Sequence, residues 1–194
     1  MNAFIIGNGV SRKSIDLERL NGITYGCNAI YRDFTPDYLV AVDPAMIEEI
    51  LQSTYPKERL IIRSHPAIDA PTVRKLKWRD SCSGISALRL ALQEDYEKVV
   101  LIGFDLWGLG GVGTEISDSE INGSEEMRTV NNIYADTENY RSSQKSEVRY
   151  QKWINQLEQY ATEGKVERIL GKESLPLKDL KIDRELGKIA SYYV

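Results

Sequence analysis

Short apolar runs alternate along the chain with stretches whose apolar residues recur every three or four positions. The first run is continuous rather than alternating, which is typical of a strand buried on both faces of a sheet. The runs predict strands at 3–6, 23–27, 38–42, 59–63, 98–105 and 165–170. Because strands that alternate with helices form βαβ units, the pattern predicts an α/β fold with a mostly parallel sheet flanked by helices.

Helical patterns fall between most of these runs. An apolar stripe of Ile85, Leu88 and Leu92 predicts a helix that begins near position 82. Asp43 is a natural N-cap and Pro44 fits the first helical position, so a helix should follow the third strand. A short helix is expected at 14–20, a strongly amphipathic helix at 146–161, and a short helix with an end strand at 175–194.

The segment 107–146 differs from the rest of the chain, because it begins Gly-rich, turns acidic and shows little periodicity. Loops of this length are usually lids, binding segments or disordered stretches. We therefore interpret the chain as a single domain over 1–194, with a lid or flexible insertion at 107–146. Gly108, Gly110 and Gly113 match G-x-G-x-x-G, but no apolar-periodic helix follows them, as a dinucleotide fingerprint requires.

Glycines or small polar residues follow nearly every predicted strand. In an open parallel sheet, ligands bind beyond the carboxyl ends of the strands, near the point where strand order reverses. Asn side chains can bond to base or ribose edges, and glycines let the backbone approach a phosphate, so the pattern predicts a nucleotide-sized ligand. The residues predicted to bind it are Gly7, Asn8, Gly9, Ser11, Asn28, Asp43, Ser83, Gly84, Asp105 and Trp107. Taken singly, the glycines could serve a turn, and Asp43 or Ser83 could only cap a helix.

Composition and charge narrow the class of protein. The formal net charge of −4 argues against a protein that mainly grips nucleic acid, although the basic stretch 74–79 (RKLKWR) is either a local binding patch or a solvated loop. Two cysteines, Cys27 and Cys82, form no disulfide framework or zinc site, which indicates a reducing, cytoplasmic compartment. The predicted fold gives no support to a thiol–imidazole pair of Cys82 with His65, the single histidine. No apolar run approaches the ~18 residues of a membrane span.

Several motifs occur in a recognisable order. They are Gly-Asn-Gly-Val-Ser at 7–11, Cys-Asn at 27–28, Asp-Pro at 43–44 and the helix–strand stretch CSGISALRLALQEDYEKVVLIGFDLW at 82–107. In this order and spacing they resemble the small bacterial sialyltransferases that build lipooligosaccharide, with related proteins from motility-accessory and phage genomes. The likeness covers about residues 3–107 and, more loosely, 147–177.

The resemblance implies a Rossmann-like glycosyltransferase domain that uses a CMP-linked sugar donor, without a metal or a resident cofactor. By position, Asn8, Gly9, Asn28, Ser83 and Gly84 would contact the nucleotide and its phosphate. The same likeness places Asp105 and Trp107 beside the base or the sugar, and it makes a homo-oligomer plausible. Inverting transfer to a hydroxyl acceptor requires a general base and polar groups that stabilise the leaving phosphate.

The chain departs from this family at the general base. The family carries a histidine just ahead of the late amphipathic helix, where this chain reads NYRSSQKSEV. Candidates for the base or for phosphate contacts are Asp136, Glu138, Tyr134 and Tyr140. Asp43 stands where the sialyltransferases often carry Asn, which leaves the donor open because a carboxylate accepts from ribose hydroxyls but repels phosphate.

The leading hypothesis from the sequence is thus a nucleotide-sugar-dependent glycosyltransferase-like protein. The absent histidine favours an alternative, a nucleotide-binding protein that transfers no sugar. A third hypothesis is a structural or assembly protein that reuses the fold. In the first hypothesis, the Gly-Asn-Gly loop serves to let the donor nucleotide approach the end of the first strand.

Overall fold

A computed structural model of the chain describes residues 1–106, 127–129, 131–140, 144–162, 164–171, 174 and 181–194. Trp107 and the other residues of the predicted lid at 108–126, 130 and 141–143 lie outside the described residues. Within this part of the chain, no helix is both long and apolar enough to cross a membrane.

Parallel pairing of strands dominates the described part of the chain. The strands are β1 (Asn2–Ile6), β2 (Gly22–Cys27), β3 (Tyr38–Ala41), β4 (Leu60–Ile62), β5 (Arg74–Lys75), β6 (Val99–Ile102), β7 (Met127–Thr129), β8 (Gln144–Ser146), β9 (Val166–Ile169) and β10 (Asp183–Arg184). Eight of them form one sheet in the order β10-β9-β6-β1-β2-β3-β4-β5, and every neighbouring pair is parallel. Strands β7 and β8 form a separate antiparallel pair. The predicted α/β fold with a mostly parallel, Rossmann-like sheet is confirmed.

The α-helices of the described residues are α1 (Pro44–Gln52), α2 (Ser83–Leu92) and α3 (Glu147–Ala161). Alternate residues of β1 face opposite sides of the sheet, so Phe4 and Ile6 join one buried cluster and Ala3 and Ile5 join the other. Helix α1 contributes to the first cluster, whereas α2 and α3 contribute to the second. Burial on both faces explains why the first strand reads as a continuous apolar run.

The helix expected at 14–20 is not an α-helix. The chain forms two short 3₁₀ turns instead, Val10–Ser14 and Leu17–Arg19. Two such short segments close too few backbone hydrogen bonds to nucleate an α-helix, and the Asp16 carboxylate caps the second turn by accepting from the Glu18 amide. Near the end of the chain, β10 precedes the helical turn, which is a 3₁₀ helix at Leu186–Tyr192.

Strand order reverses at β1. From β1 the chain adds β2, β3, β4 and β5 on one side, and then returns with β6 to the other side of β1. The loops that follow β1 and β6 therefore diverge at the carboxyl edge of the sheet. Such a reversal leaves a crevice in which ligands of open α/β sheets bind.

Candidate functional site

A cavity of about 180 Å³ lies at this reversal, beyond the carboxyl ends of β1, β2, β3 and β6. Of the predicted binding residues, those that line it are Gly7, Asn8, Gly9, Asn28, Asp43, Ser83, Gly84 and Asp105. Its volume is below the roughly 300–1,000 Å³ of pockets that bury a drug-sized ligand, so the described lining fits part of a nucleotide. Residues far apart in sequence are thus brought to one cavity.

The loops after β1 and β6 contact each other directly on one side of the cavity. The Gly9 amide donates to the Gly103 carbonyl at 2.9 Å, and the Gly7 amide donates to the Ile102 carbonyl at 2.8 Å. A Cβ atom on Gly9 would lie 2.5 Å from the Gly103 oxygen and 2.6 Å from an Asp105 carboxylate oxygen. The close approach that Gly9 permits in this structure is therefore one between two loops of the chain.

Asp105 holds this side of the cavity together. Its carboxylate accepts from the Ser11 amide at 3.0 Å and from the Ser11 hydroxyl. It also accepts from Asn131 Nδ2 and from the Ser174 hydroxyl, each at 3.0 Å. Four donors on a side chain that is 3% exposed occupy its oxygens. Ser11 itself lies behind the lining, and both residues position the loops.

Two amide oxygens in the lining have no hydrogen-bond partner in the described part of the chain: Asn8 Oδ1 and Asn131 Oδ1. The side chains are 6% and 5% exposed. Asn8 Nδ2 is fixed by the Cys27 carbonyl at 2.8 Å and by the Tyr140 hydroxyl oxygen at 3.1 Å. Buried acceptors are normally satisfied, so these oxygens mark positions where a bound molecule with N–H or O–H groups would be favoured.

The opposite side of the cavity is built by the ends of β2 and β3 and by the start of α2. Asn28 has a positive φ of 51°, a conformation that Asn tolerates better than most residues. Its Oδ1 accepts from the Ser83 hydroxyl at 2.7 Å. Ser83 and Gly84 are the first two residues of α2, whose N-cap makes no side-chain capping hydrogen bond. The first-turn amides and the helix dipole therefore give this side of the cavity a partial positive charge.

Asp43 also lies on this side and is the N-cap residue of α1, as its position in the sequence predicts. Its side chain makes no capping hydrogen bond to α1. Asp43 and Asp105 are the two charged side chains in the described lining. The described lining thus offers phosphate no cationic side chain, and the amides of α2 are its main positive feature.

Cys82 is the N-cap of α2 and its thiol is neutral at physiological pH. Burial raises the pKa of the thiol to about 11. The backbone amides of Ile85 and Gly84 lower the pKa and oppose this rise in part, whereas the nearby Asp43 and Asp80 carboxylates add to it. His65 is exposed and does not line the cavity. The structure therefore agrees with the rejection of a Cys82–His65 nucleophilic pair.

Tyr140 is brought into the cavity lining, whereas Tyr134 is not. The Tyr140 hydroxyl oxygen accepts from Asn8 Nδ2 and Asn132 Nδ2, both at 3.1 Å, and burial raises its pKa. Tyr140 is therefore a protonated phenol, and its hydroxyl hydrogen can be donated to a bound ligand. Tyr134 is buried, with its hydroxyl bonded to Asp33 and Arg12, and it anchors the segment 131–140.

Asp136 and Glu138, two candidates for the general base, are exposed, and neither lines the cavity. The Glu138 main-chain carbonyl accepts from Arg32 at 2.8 Å, which holds this turn beside the helical turn after β2. In this structure the fold therefore leaves both carboxylates outside the site.

The asparagines of the segment 131–140 were not among the residues predicted from the sequence, yet Asn131, Asn132 and Asn139 line the cavity. The Asn-rich string NNIYADTENY was the available signal, since amides are versatile hydrogen-bonding groups. Leu106 was also missed, and it is a lining residue with a φ of 58° that is rare for a bulky side chain. Arg168, fully buried, binds the Phe104 carbonyl and Asp183 and so fixes the loop after β6.

Comparison of the chain with protein-family models, with curated proteins and with solved structures found no match.

Proposed function

We propose that the chain binds a nucleotide sugar in this cavity and transfers the sugar to a hydroxyl acceptor by metal-independent inverting chemistry. A CMP-linked donor is the first candidate, as the resemblance in sequence implies. The observation that carries the proposal is the position of the cavity. It lies where strand order reverses, and the N-terminus of α2 opens onto it.

The start of α2 is the part of the cavity best suited to a phosphate. The amides of Ser83, Gly84 and Ile85 belong to the first turn, and all three residues line the cavity. Helix N-termini bind anions through such amides together with the helix dipole. The Asp43 carboxylate repels phosphate, so it fits a ribose or sugar hydroxyl better.

Groups for the transfer step are present in the lining. The Tyr140 phenol, protonated and held by two amide donors, is suited to donate a hydrogen bond to the leaving phosphate. The acceptor hydroxyl must give up a proton as the new bond to the sugar forms. We assign that proton to the carboxylate of Asp43, which lines the cavity on the side of α2, opposite the loops that Asp105 holds together.

A second candidate is a nucleotide-binding protein without transferase activity. The observation in its favour is that the described lining holds no histidine and that its tyrosine is a protonated phenol. Such a cavity would bind a nucleotide without supplying the histidine base of the family that the sequence resembles.

Nucleotide binding and donor hydrolysis separate these functions. A thermal-shift screen would use CMP, UMP, GMP and AMP, their diphosphates and common nucleotide sugars. A ligand at about 100 times its dissociation constant adds roughly 2.7 kcal/mol of stability, which is a readily measured rise in Tm. A selective rise with one nucleotide plus release of that nucleotide from its sugar supports the transferase. A rise without hydrolysis supports the second candidate, and no rise at millimolar ligand overturns both.

A further inference from the structure

A strip of four cations follows β4 in the chain, and the proposed nucleotide site does not use it. Residues 74–79, hereafter the basic strip, contain Arg74, Lys75, Lys77 and Arg79 and no carboxylate. Arg74, Lys77 and Arg79 are exposed, and Lys75 is half-buried. None of the four makes an ion pair within the part of the chain that the structure describes. Their charges are therefore not compensated by a described carboxylate.

The basic strip leads along the chain to the cavity, although none of its residues is among those that line it. It begins in β5, the edge strand of the sheet, and continues beyond the carboxyl end of that strand. Because all strands of the sheet are parallel, the carboxyl end of β5 lies on the same side of the sheet as the strand ends that border the cavity. Arg79 stands two residues before Ser81, which lines the cavity. Arg63, at the end of β4, donates to the Asp80 carbonyl at 2.5 Å and fixes the turn between strip and cavity.

The one aromatic residue of the basic strip is not available for stacking with a nucleobase. Trp78 carries the Arg89 guanidinium 4.4 Å from its ring centroid, and it packs against the apolar cluster below α2. Proteins that bind single-stranded nucleic acid combine basic grooves with open aromatic platforms. The basic strip offers the charges without the platform, which favours an anionic ligand that has no bases.

We propose that the basic strip binds an acidic glycan, the acceptor of the transferred sugar. This inference rests on the proposed function, since it is sugar transfer that calls for an acceptor beside the cavity. The cavity and the basic strip would contact different parts of this acceptor, because they differ in charge. The described lining carries two carboxylates and no cationic side chain, and the amides of α2 are assigned to the donor phosphate, so a neutral hydroxyl of the acceptor fits the cavity better than an acidic group does. The acidic groups of the same glycan are then attracted to the basic strip.

The test measures binding of a size-defined heparin oligosaccharide, used as the acidic glycan probe, to the whole chain at low and moderate salt. The variant R74Q/K77Q/R79Q removes the three exposed charges of the basic strip. The matched control R59Q/K165Q/K181Q removes three cations that precede β4, β9 and β10, at the opposite edge of the sheet. Three solvent-exposed charge contacts together account for about a tenfold change in affinity. We expect that loss in the first variant, no loss in the control, and weaker binding of all forms as salt increases.

A single-stranded oligonucleotide of matched charge is the competing probe. Tighter binding of the oligonucleotide than of the glycan overturns the proposal in favour of nucleic acid. Equal losses in the two variants, or no glycan binding, also overturn it. The nucleotide thermal shift is measured on the same three proteins. If it is absent while glycan binding depends on the basic strip, the proposed function has failed and the anion-binding surface stands. If it is present without glycan binding, the failure belongs to the basic strip.

Discussion

The two sides of the cavity use similar residues in different ways. On the β1–β6 side, Asp105 and Gly9 are engaged with other parts of the chain, the carboxylate by four donors and the glycine by a backbone carbonyl. On the β2–α2 side, the first-turn amides of α2 receive no side-chain cap and border the cavity. A polar group at a strand end can thus hold neighbouring loops together or face the ligand. Which of these it does is decided by whether its hydrogen-bonding capacity is already used within the chain.

The largest expected effect is on the side that holds the loops together. Asp105→Asn replaces one of the acceptor oxygens with an NH₂ group, which would face donors from Ser11, Asn131 or Ser174. Leaving buried groups unsatisfied costs about 2–4 kcal/mol of unfolding free energy in total. Urea unfolding of this variant and of Asp43→Asn measures the contrast. Asp43 is half-buried and Asn keeps its size and one side-chain oxygen, so the second change should cost less than the first. Equal losses would abolish the distinction between the two sides.

Gly9→Ala tests the same side by crowding. The added Cβ would lie 2.5 Å from the Gly103 carbonyl oxygen, so the two loops must separate. We expect a loss of about 1–3 kcal/mol, measured by denaturant unfolding. Gly187→Ala is the control, because a Cβ there meets no atom within 4 Å, and its stability should stay within about 0.5 kcal/mol of the parent. A Gly9 variant as stable as this control would show that the loops do not need their close contact.

Asn28→Gly tests whether the β2–α2 side of the cavity contacts the nucleotide. Glycine adopts the positive φ of Asn28 without penalty, so the change removes the amide and leaves the backbone in place. We expect nucleotide affinity to fall about tenfold, which corresponds to about 1.4 kcal/mol. Tm without ligand should fall modestly, because the buried Ser83 hydroxyl loses its acceptor, Asn28 Oδ1. The measurement is the nucleotide-induced thermal shift, and undiminished binding in a folded variant would mean that the ligand lies elsewhere.

The smallest expected effect concerns the Cys82 thiol beside the same helix. Its pKa rises to about 11 from an ordinary value of 9.0, so the folded chain retains this proton where the unfolded chain loses it. Stability from this group is complete below pH 9 and declines as pH rises from 9 to 11. Alkylation of the thiol by iodoacetamide should be slow at neutral pH and should accelerate toward pH 11.

The alkylation is measured on Cys27→Ala, in which Cys82 is the single remaining cysteine, so the labelling rate reports on Cys82 alone. Circular dichroism confirms that the variant is folded at each pH. Fast alkylation of the folded variant at pH 7 would contradict a raised pKa for Cys82.

Much of the fold follows from short-range patterns. The continuous apolar run of β1, the stripe of α2 and the Asp43-Pro44 helix start each depend on a few neighbouring residues, and each appears where it was expected. The short helix predicted at 14–20 forms only as a 3₁₀ turn at Leu17–Arg19, because that helical spacing is too short to form an α-helix without tertiary support.

The candidate site depends on more than such patterns. The rule that ligands bind beyond parallel strand ends selects residues such as Asn8, Asn28 and Ser83, which do meet at one cavity. It does not reveal that Asp105 at the same edge is held by four donors of the chain. Nor does the rule predict that Tyr140 lines the cavity while Glu138 lies outside it. These residues lie two apart in an irregular segment without periodicity.

The sequence by itself determined the alternation of strands and helices, the parallel sheet and the edge at which polar residues collect. These properties depend on local hydrophobic periodicity and on the carboxyl ends of the strands sharing one edge. Only the tertiary structure decided which polar groups are occupied by contacts within the chain and which remain for a ligand. Such occupancy depends on partners as distant in sequence as Ser11, Asn131 and Ser174 around Asp105, and no local pattern encodes it.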